Sequence, residues 1–214
     1  MADPHRYPAL MLDRLTPIYD LFVRLFMPEM QFKRDLIARA RIAAGHRVLD
    51  LGAGTGTLAI MIKQMQPDAQ IIGLDGDPEI LTIARQKAAR AGAEVTFDLG
   101  HVAALPYPDE SFDRVVSSLV MSLLSREDKQ LAVREAYRVL QRGGELHIAD
   151  FGPPHTRWGR WVAPVMRRFE RMADNLDGLL PTMFREAGFD NVEEAARFAT
   201  VFGTLAILYG RRPD

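Results

Sequence analysis

Between residues 47 and 150, short apolar runs alternate with stretches whose apolar residues recur at helical spacing. Val48, Leu49 and Leu51 make the first run, interrupted by one acid, Asp50. Leu58, Ile62 and Met65 then share a helical face over residues 57–66. Pro67-Asp68 turns the chain into a second run, Gln70–Asp75, and a helix follows from Pro78 with Asp77 as its N-cap. Leu81, Ala84, Ala88 and Ala91 form the buried stripe of that helix, and Gly92 ends it. Residues 94–98, 114–119 and 145–149 predict three more strands, with Gly143-Gly144 as the turn into the last. Ahead of that turn, Ser125-Arg-Glu-Asp128 resembles a capping box, and Val133, Ala136, Tyr137 and Leu140 mark the helix behind it. This alternation predicts a parallel sheet with right-handed crossovers.

The flanks carry different patterns. Leu15, Ile18, Tyr19, Phe22 and Phe26 recur at helical spacing, Pro28 breaks the segment, and Phe32, Leu36, Ile37 and Ala40 mark a second helix closed by Gly45. Residues 1–45 are expected to form a helical layer on the sheet and a lid over a pocket, two compatible roles. Residues 151–178 interrupt the alternation as a cap insertion. There Trp158, Trp161, Val162, Val165, Met166, Phe169 and Met172 fall on one helical face, close to Arg157, Arg160, Arg167, Arg168 and Arg171. Such a helix either buries that face on the protein or lies at a membrane surface through residues 157–172. Residues 179–214 predict a short helix ended by Gly188 and two strands, Asn191–Arg197 and Thr200–Tyr209, paired as a hairpin.

Composition narrows the function. The 214 residues suit one domain, and 48% apolar with 26% charged residues is ordinary for a globular chain. A net charge of −1 offers no general attraction to phosphate backbones, so nucleic acid is not an expected partner. No run approaches the length needed to span a bilayer, and Asp3, Pro4 and Pro8 do not suit a signal peptide; the expected location is the cytoplasm. The absence of cysteine removes disulfides, thiolate metal sites and thiolate nucleophiles. The five histidines show no close ligand spacing, so no metal is expected.

The chemistry concentrates where the first strand ends. Gly52, Gly54 and Gly56 follow it at once and lead into a helix, an arrangement that lets backbone N–H groups approach a ligand. A dinucleotide fingerprint starting at Gly54 is formally possible, with Ala59 in the last place. Asp50 argues otherwise, since a carboxylate at the strand end repels a pyrophosphate and tolerates a zwitterionic amino acid with a sulfonium centre.

The stretch Val48-Leu-Asp-Leu-Gly-Ala-Gly-Thr-Gly56 resembles the first motif of class I S-adenosylmethionine-dependent methyltransferases. Ile72–Leu81, Ala104–Ser118 and Glu135–Leu146 resemble three further blocks of that family in the same order, and the nearest group looks like the small ubiquinone/menaquinone-type enzymes. The resemblance implies a Rossmann-like, doubly wound α/β fold in a single domain over 1–214. Its seven-stranded sheet would be mostly parallel, with a C-terminal antiparallel strand, a cofactor core over 46–150 and the N-terminal helical lid. It implies S-adenosyl-L-methionine as cofactor, held by Asp50, Gly52, Gly54 and Gly56, by Asp75 through the ribose hydroxyls, and by Gly76 and Asp77 along adenine. His101, Val102 and Ser117 complete the expected set. Three places depart from the family. Gly100-His101-Val102 stands where relatives carry Gly-Asp-Ala, Met121-Ser122-Leu123 where they often carry paired histidines, and Arg142 where they have proline.

The expected reaction is in-line methyl transfer to a small, apolar or lipophilic metabolite. A neutral acceptor needs a base, and His101, Asp150, His155 and Tyr19 are the candidates. Two other readings share the turn: a cofactor-binding module without transfer, and an NAD(P)-dependent oxidoreductase. Strand four ends in Val-Val-Ser-Ser-Leu and lacks the Asn/Asp-Pro-Pro-Tyr/Phe used in methylating amino groups of bases or glutamine.

Overall fold

A computed structural model describes residues 29–214. The expected first helix, with Tyr19, lies outside the described residues. Helix α1 (Glu29–Ala40) comes next, and its Phe32, Leu36, Ile37 and Ala40 are all buried, as their spacing predicts. The chain then runs β1 (Arg47–Leu51), α2 (Thr57–Met65), β2 (Gln70–Asp75), α3 (Pro78–Arg90), β3 (Thr96–Leu99), β4 (Phe112–Ser118), α4 (Arg126–Val139) and β5 (Leu140–Gly152). Three short helices follow, α5 (Arg157–Met166), α6 (Glu170–Leu176) and α7 (Leu180–Ala187), then the hairpin β6 (Asp190–Thr200) and β7 (Gly203–Arg211).

The strands form one seven-stranded sheet in the order β3-β2-β1-β4-β5-β7-β6. β1 to β5 are parallel, and β7 inserts antiparallel between β5 and β6. Alternation along each strand divides the core between two faces. Val48, Ile71 and Val116 meet α1, α2 and α3 on one face, while Leu49, Leu74 and Val115 meet α4 and α7 on the other. The order reverses at β1–β4, the switch point where open α/β sheets bind ligands beyond the carboxyl ends of their strands.

Local signals work as their chemistry requires. Asp77 caps α3 by accepting from the Glu79 and Ile80 amides at 2.8 and 3.3 Å, and Ser125 Oγ accepts from Asp128 N at 3.1 Å ahead of α4. Gly188 ends α7 with φ 106°.

Several details differ from the sequence pattern. Met65 is half exposed and Ala91 lies in water, because α2 and α3 turn those positions away from the sheet. Gly143-Gly144 does not make a separate turn. Leu140 pairs with Phe112 and Glu145 with Arg114, so the glycines form an irregularity inside one long strand. Residues 151–175 are two helices rather than one. The apolar face does not become a buried cap either: Trp158, Trp161, Val165 and Phe169 are all exposed.

Candidate functional site

The turn after β1 is stapled to β2, since the Gly52 and Ala53 amides both donate to the Leu74 carbonyl at 2.8 and 2.9 Å. All three glycines adopt left-handed φ values of 74°, 53° and 74°, which cost L side chains energy. A Cβ at Gly52 would stand 2.4 Å from Val120, and one at Gly56 2.7 Å from Phe97. A Cβ at Gly54 would meet nothing within 4 Å. The outer glycines are therefore required by packing, whereas the middle one borders open space where a ligand can touch backbone.

Asp75, ending β2, closes this cradle. Its Oδ2 accepts from Gly54 N at 2.8 Å and its Oδ1 from Asp77 N at 3.1 Å. Each oxygen retains a further lone pair, and the residue is half-buried, so vicinal hydroxyls can still reach it. Gly76 is exposed beside it, and an added Cβ there would make only ordinary contact at 3.7 Å. Asp77 spends its side chain on the α3 cap and has only backbone to offer a ligand.

Asp50 lies under the turn, 1% exposed, and its Oδ2 accepts from Ala59 N at 3.1 Å. The residue at the N-cap of α2 is Gly56, which has no side chain, so Asp50 supplies the helix start with an acceptor from the strand beneath. Burial pushes its carboxyl up to about 7, against the Lys33 charge and the Ala59 bond and with help from Asp75. Asp50 thus holds the turn from beneath, with almost none of its surface open. Lys33 of α1 is also buried, at 8% exposure. Sequence reasoning missed it, although a lysine between Phe32 and Leu36 on an apolar helical face is a readable signal.

The loop after β3 is clamped by the Glu-x-x-Arg pair of α4. Glu135 Oε2 accepts from Leu105 N at 2.7 Å, and Arg138 donates to the Leu105 and Tyr107 carbonyls and to both Glu135 oxygens. The Arg138 bonds hold Glu135 below its usual range against burial. Gly100 N donates to the Asp75 carbonyl at 3.0 Å, which brings residues 100–102 alongside the cradle. His101 Nδ1 accepts from Ala103 N at 3.2 Å, so in the neutral ring Nε2 carries the proton and acts as donor. Val102 is 7% exposed and packs into the core, leaving its main chain toward the site.

Ser117 lies inside the sheet. It is fully buried in β4, and its hydroxyl donates to the Leu51 carbonyl at 2.8 Å, tying β4 to β1. Two residues on, Leu119 holds φ 61° with its amide on the Ala149 carbonyl at 2.9 Å. Leucine in that conformation is strained, and it stands at the strand end next to Val120, which packs on the glycine turn. Nothing in the sequence signals a left-handed leucine.

The acid–base candidates are occupied structurally. Asp150 is 2% exposed and accepts from Phe151 N at 2.7 Å, Asn175 Nδ2 at 3.1 Å and Ser122 N at 3.3 Å. Burial holds its carboxyl above the ordinary range. Nearby, Lys129 is completely buried, donates to the Arg171 carbonyl and lies 3.5 Å from Asp174, and burial keeps it below its usual value. This network pins α6 to the end of β5, and Asp150 belongs to it, with its carboxylate engaged by three donors. His155 stacks its amide and Nδ1 on Thr204 Oγ1 at 3.1 and 2.7 Å, which anchors the start of the α5 region to β7. No group of metal ligands occurs among the described residues.

Residues 48–144 match the model of a methyltransferase domain. The chain is 37% identical over 176 residues to the demethylmenaquinone methyltransferase of Thermus thermophilus, covering 81% of this chain and 78% of that one. It belongs to the S-adenosylmethionine-dependent methyltransferases. It is also 36% identical to the arsenite methyltransferase of Halobacterium salinarum over 75% of its own length and 41% of the relative's. Among solved structures, the methyltransferase SibL superposes with a TM-score of 0.66 at 25% identity, over 85% of this chain and 55% of that one. A phosphoethanolamine N-methyltransferase of Haemonchus contortus reaches 0.70 at 15% identity, over 86% and 53%, and shares the fold. The methyltransferase takes S-adenosylmethionine as cofactor, which sets the oxidoreductase reading aside. Its glycine cradle fits that group: Gly54 faces free space, and Asp75 presents a carboxylate next to it.

Proposed function

We propose that this methyltransferase transfers a methyl group to a small, apolar, quinone-type metabolite. One observation carries the acceptor class: the 37% identity to a demethylmenaquinone methyltransferase over 81% of the chain. The lack of cysteine weighs against the thiolate chemistry of arsenic methylation. S-adenosylmethionine bound in the cradle supplies an activated methyl on a sulfonium, transferred by in-line displacement. Asp75 takes the ribose hydroxyls, Gly52 to Gly56 lie along the methionine part, and the backbone at 76–77 and 100–102 borders adenine. Asp50, Lys33 and the Glu135–Arg138 clamp position these elements without touching the cofactor.

Alignment is the main task of the chain's residues, because the leaving group is neutral and already activated. An acceptor that arrives as an anion loses charge on reaction, which a dry apolar pocket favours. Phe151, Pro153, Leu180 and Leu208, with the polar Asn175 and Glu194, line a mainly apolar cavity of about 150 Å³ alongside the last residues of β5, and its apolar walls support an apolar acceptor. Asp150 and His155, tied as they are, hold the walls of this region. In this reading the enzyme works in the cytoplasm.

The test supplies methyl-tritiated S-adenosylmethionine with a reduced demethylmenaquinone of short side chain and counts label in the organic phase. Labelled product is expected. Stoichiometric cofactor binding with no label in any quinol or phenol tried would replace this reading with a binding module.

A further inference from the structure

We propose that α5 and the segment after it form a docking surface for a lipid bilayer carrying anionic headgroups. Helix α5 buries only a narrow side, Gly159 and Ala163, against the rest of the fold. Gly159 sits against Thr204 of β7, where a Cβ would come within 3.5 Å of the hydroxyl. The opposite side carries Trp158, Trp161 and Val165, exposed by 60%, 82% and 57%, and Phe169 extends it at 60%. Trp158 donates Nε1–H to the Val201 carbonyl at 3.0 Å, which joins the helix to the β6–β7 turn and adds an exposed valine to the same surface. A contiguous apolar face of large side chains rimmed by cations marks an interaction site.

Charge selects the partner. Between Phe151 and Phe169 the chain has four arginines and no acid. Arg167 pairs with Asp177 at 2.7 Å, but Arg157, Arg160 and Arg168 form no ion pair among the described residues. Arg157 and Arg160, with Trp161 and Pro164, border an open cleft of about 330 Å³. Guanidinium groups beside indole rings match the boundary of an anionic bilayer, with phosphates above and acyl chains below. The placement also has a direction. Helix α5 starts five residues after β5 ends, at the same edge of the parallel strands as the glycine cradle. A bilayer on this face lies beside the cofactor site, where a lipophilic acceptor would enter. Docking itself does not depend on the acceptor's identity.

Both tryptophans of the chain lie on α5, so intrinsic emission reports on this surface alone. The full-length protein is mixed with vesicles of phosphatidylglycerol and phosphatidylethanolamine, or of phosphatidylcholine alone. Emission should shift to the blue and the protein should sediment with the anionic vesicles only. Partitioning should fall about tenfold in Trp161→Ser and in the double variant Arg157→Gln/Arg160→Gln, and again between about 50 mM and 500 mM salt. Circular dichroism and cofactor affinity should stay unchanged in both variants. Equal partitioning of wild type and variants overturns the proposal. So does emission that is already blue in buffer and indifferent to vesicles, which would mean that a second copy or residues 1–28 cover the face.

Discussion

The Gly54 amide donates to Asp75 Oδ2 at 2.8 Å, so the acid ending β2 and the middle glycine after β1 form one unit. Asp75 therefore both shapes the cradle and keeps lone pairs for a ligand. Asp75→Ala should weaken S-adenosylmethionine binding about 100-fold by calorimetry, since bonds to a charged group are each worth about 1.5–3 kcal/mol. Unchanged affinity would mean that the ribose is held elsewhere.

The two alanine substitutions at Gly52 and Gly54 should fail differently. At Gly52 the new Cβ would meet Val120 at 2.4 Å, so stability should drop by about 2–4 kcal/mol in urea unfolding, from overpacking and left-handed strain together. At Gly54 there is free space and only the strain of φ 53° remains, about 1–2 kcal/mol. Gly54→Ala should instead lose cofactor affinity, because the methyl enters the volume the ligand needs. Matching stability and affinity losses in the two variants would contradict this division.

Asp50 sets one pH dependence. Its carboxyl titrates near 7 in the folded protein against an ordinary 3.8. Between those values the folded state holds a proton that the unfolded chain has released, so this group's contribution to stability falls as pH rises from about 4 to 7. Asp50→Asn keeps an oxygen to accept from Ala59 N and removes the titration. Relative to wild type, the variant should gain on the order of 2–4 kcal/mol between pH 4 and pH 8, measured by denaturant unfolding across that range. A constant difference between the two proteins at every pH would refute the assignment.

His147 contributes with the opposite slope. It is 2% exposed and its Nε2 lies 3.1 Å from Glu145 Oε2. Burial depresses its proton affinity below the ordinary 6.5, outweighing the attraction of Glu145. Burial would raise Glu145, but the His147 bond and the charges of Arg114 and Arg41 hold it low. Above about pH 6.5 neither state protonates the ring; below it the unfolded chain takes up a proton the fold resists, and stability falls. His147→Phe should flatten the wild-type loss between about pH 6.5 and 5 in thermal melts. An unaltered acid limb would show that other groups carry it.

The alternation of strands and helices, the glycine turn, Asp75 at the end of β2, and the caps Asp77 and Ser125 were all legible in the sequence. Each rests on a local rule: a side-chain period, a residue's allowed φ, or a hydroxyl or carboxylate reaching an amide two or three positions away. Tertiary structure alone decided the rest. Asp50 and Ser117 occupy readable positions, yet their partners, Ala59 and Leu51, come from the next helix and the neighbouring strand. Leu119 is left-handed against its own preference, with its amide held on the Ala149 carbonyl of the neighbouring strand. The face of Trp158 and Trp161 has the periodicity of a buried helix, but periodicity states only that a helix is two-sided. Whether protein or solvent covers the apolar side depends on what the fold places opposite, and among the described residues it leaves both tryptophans exposed.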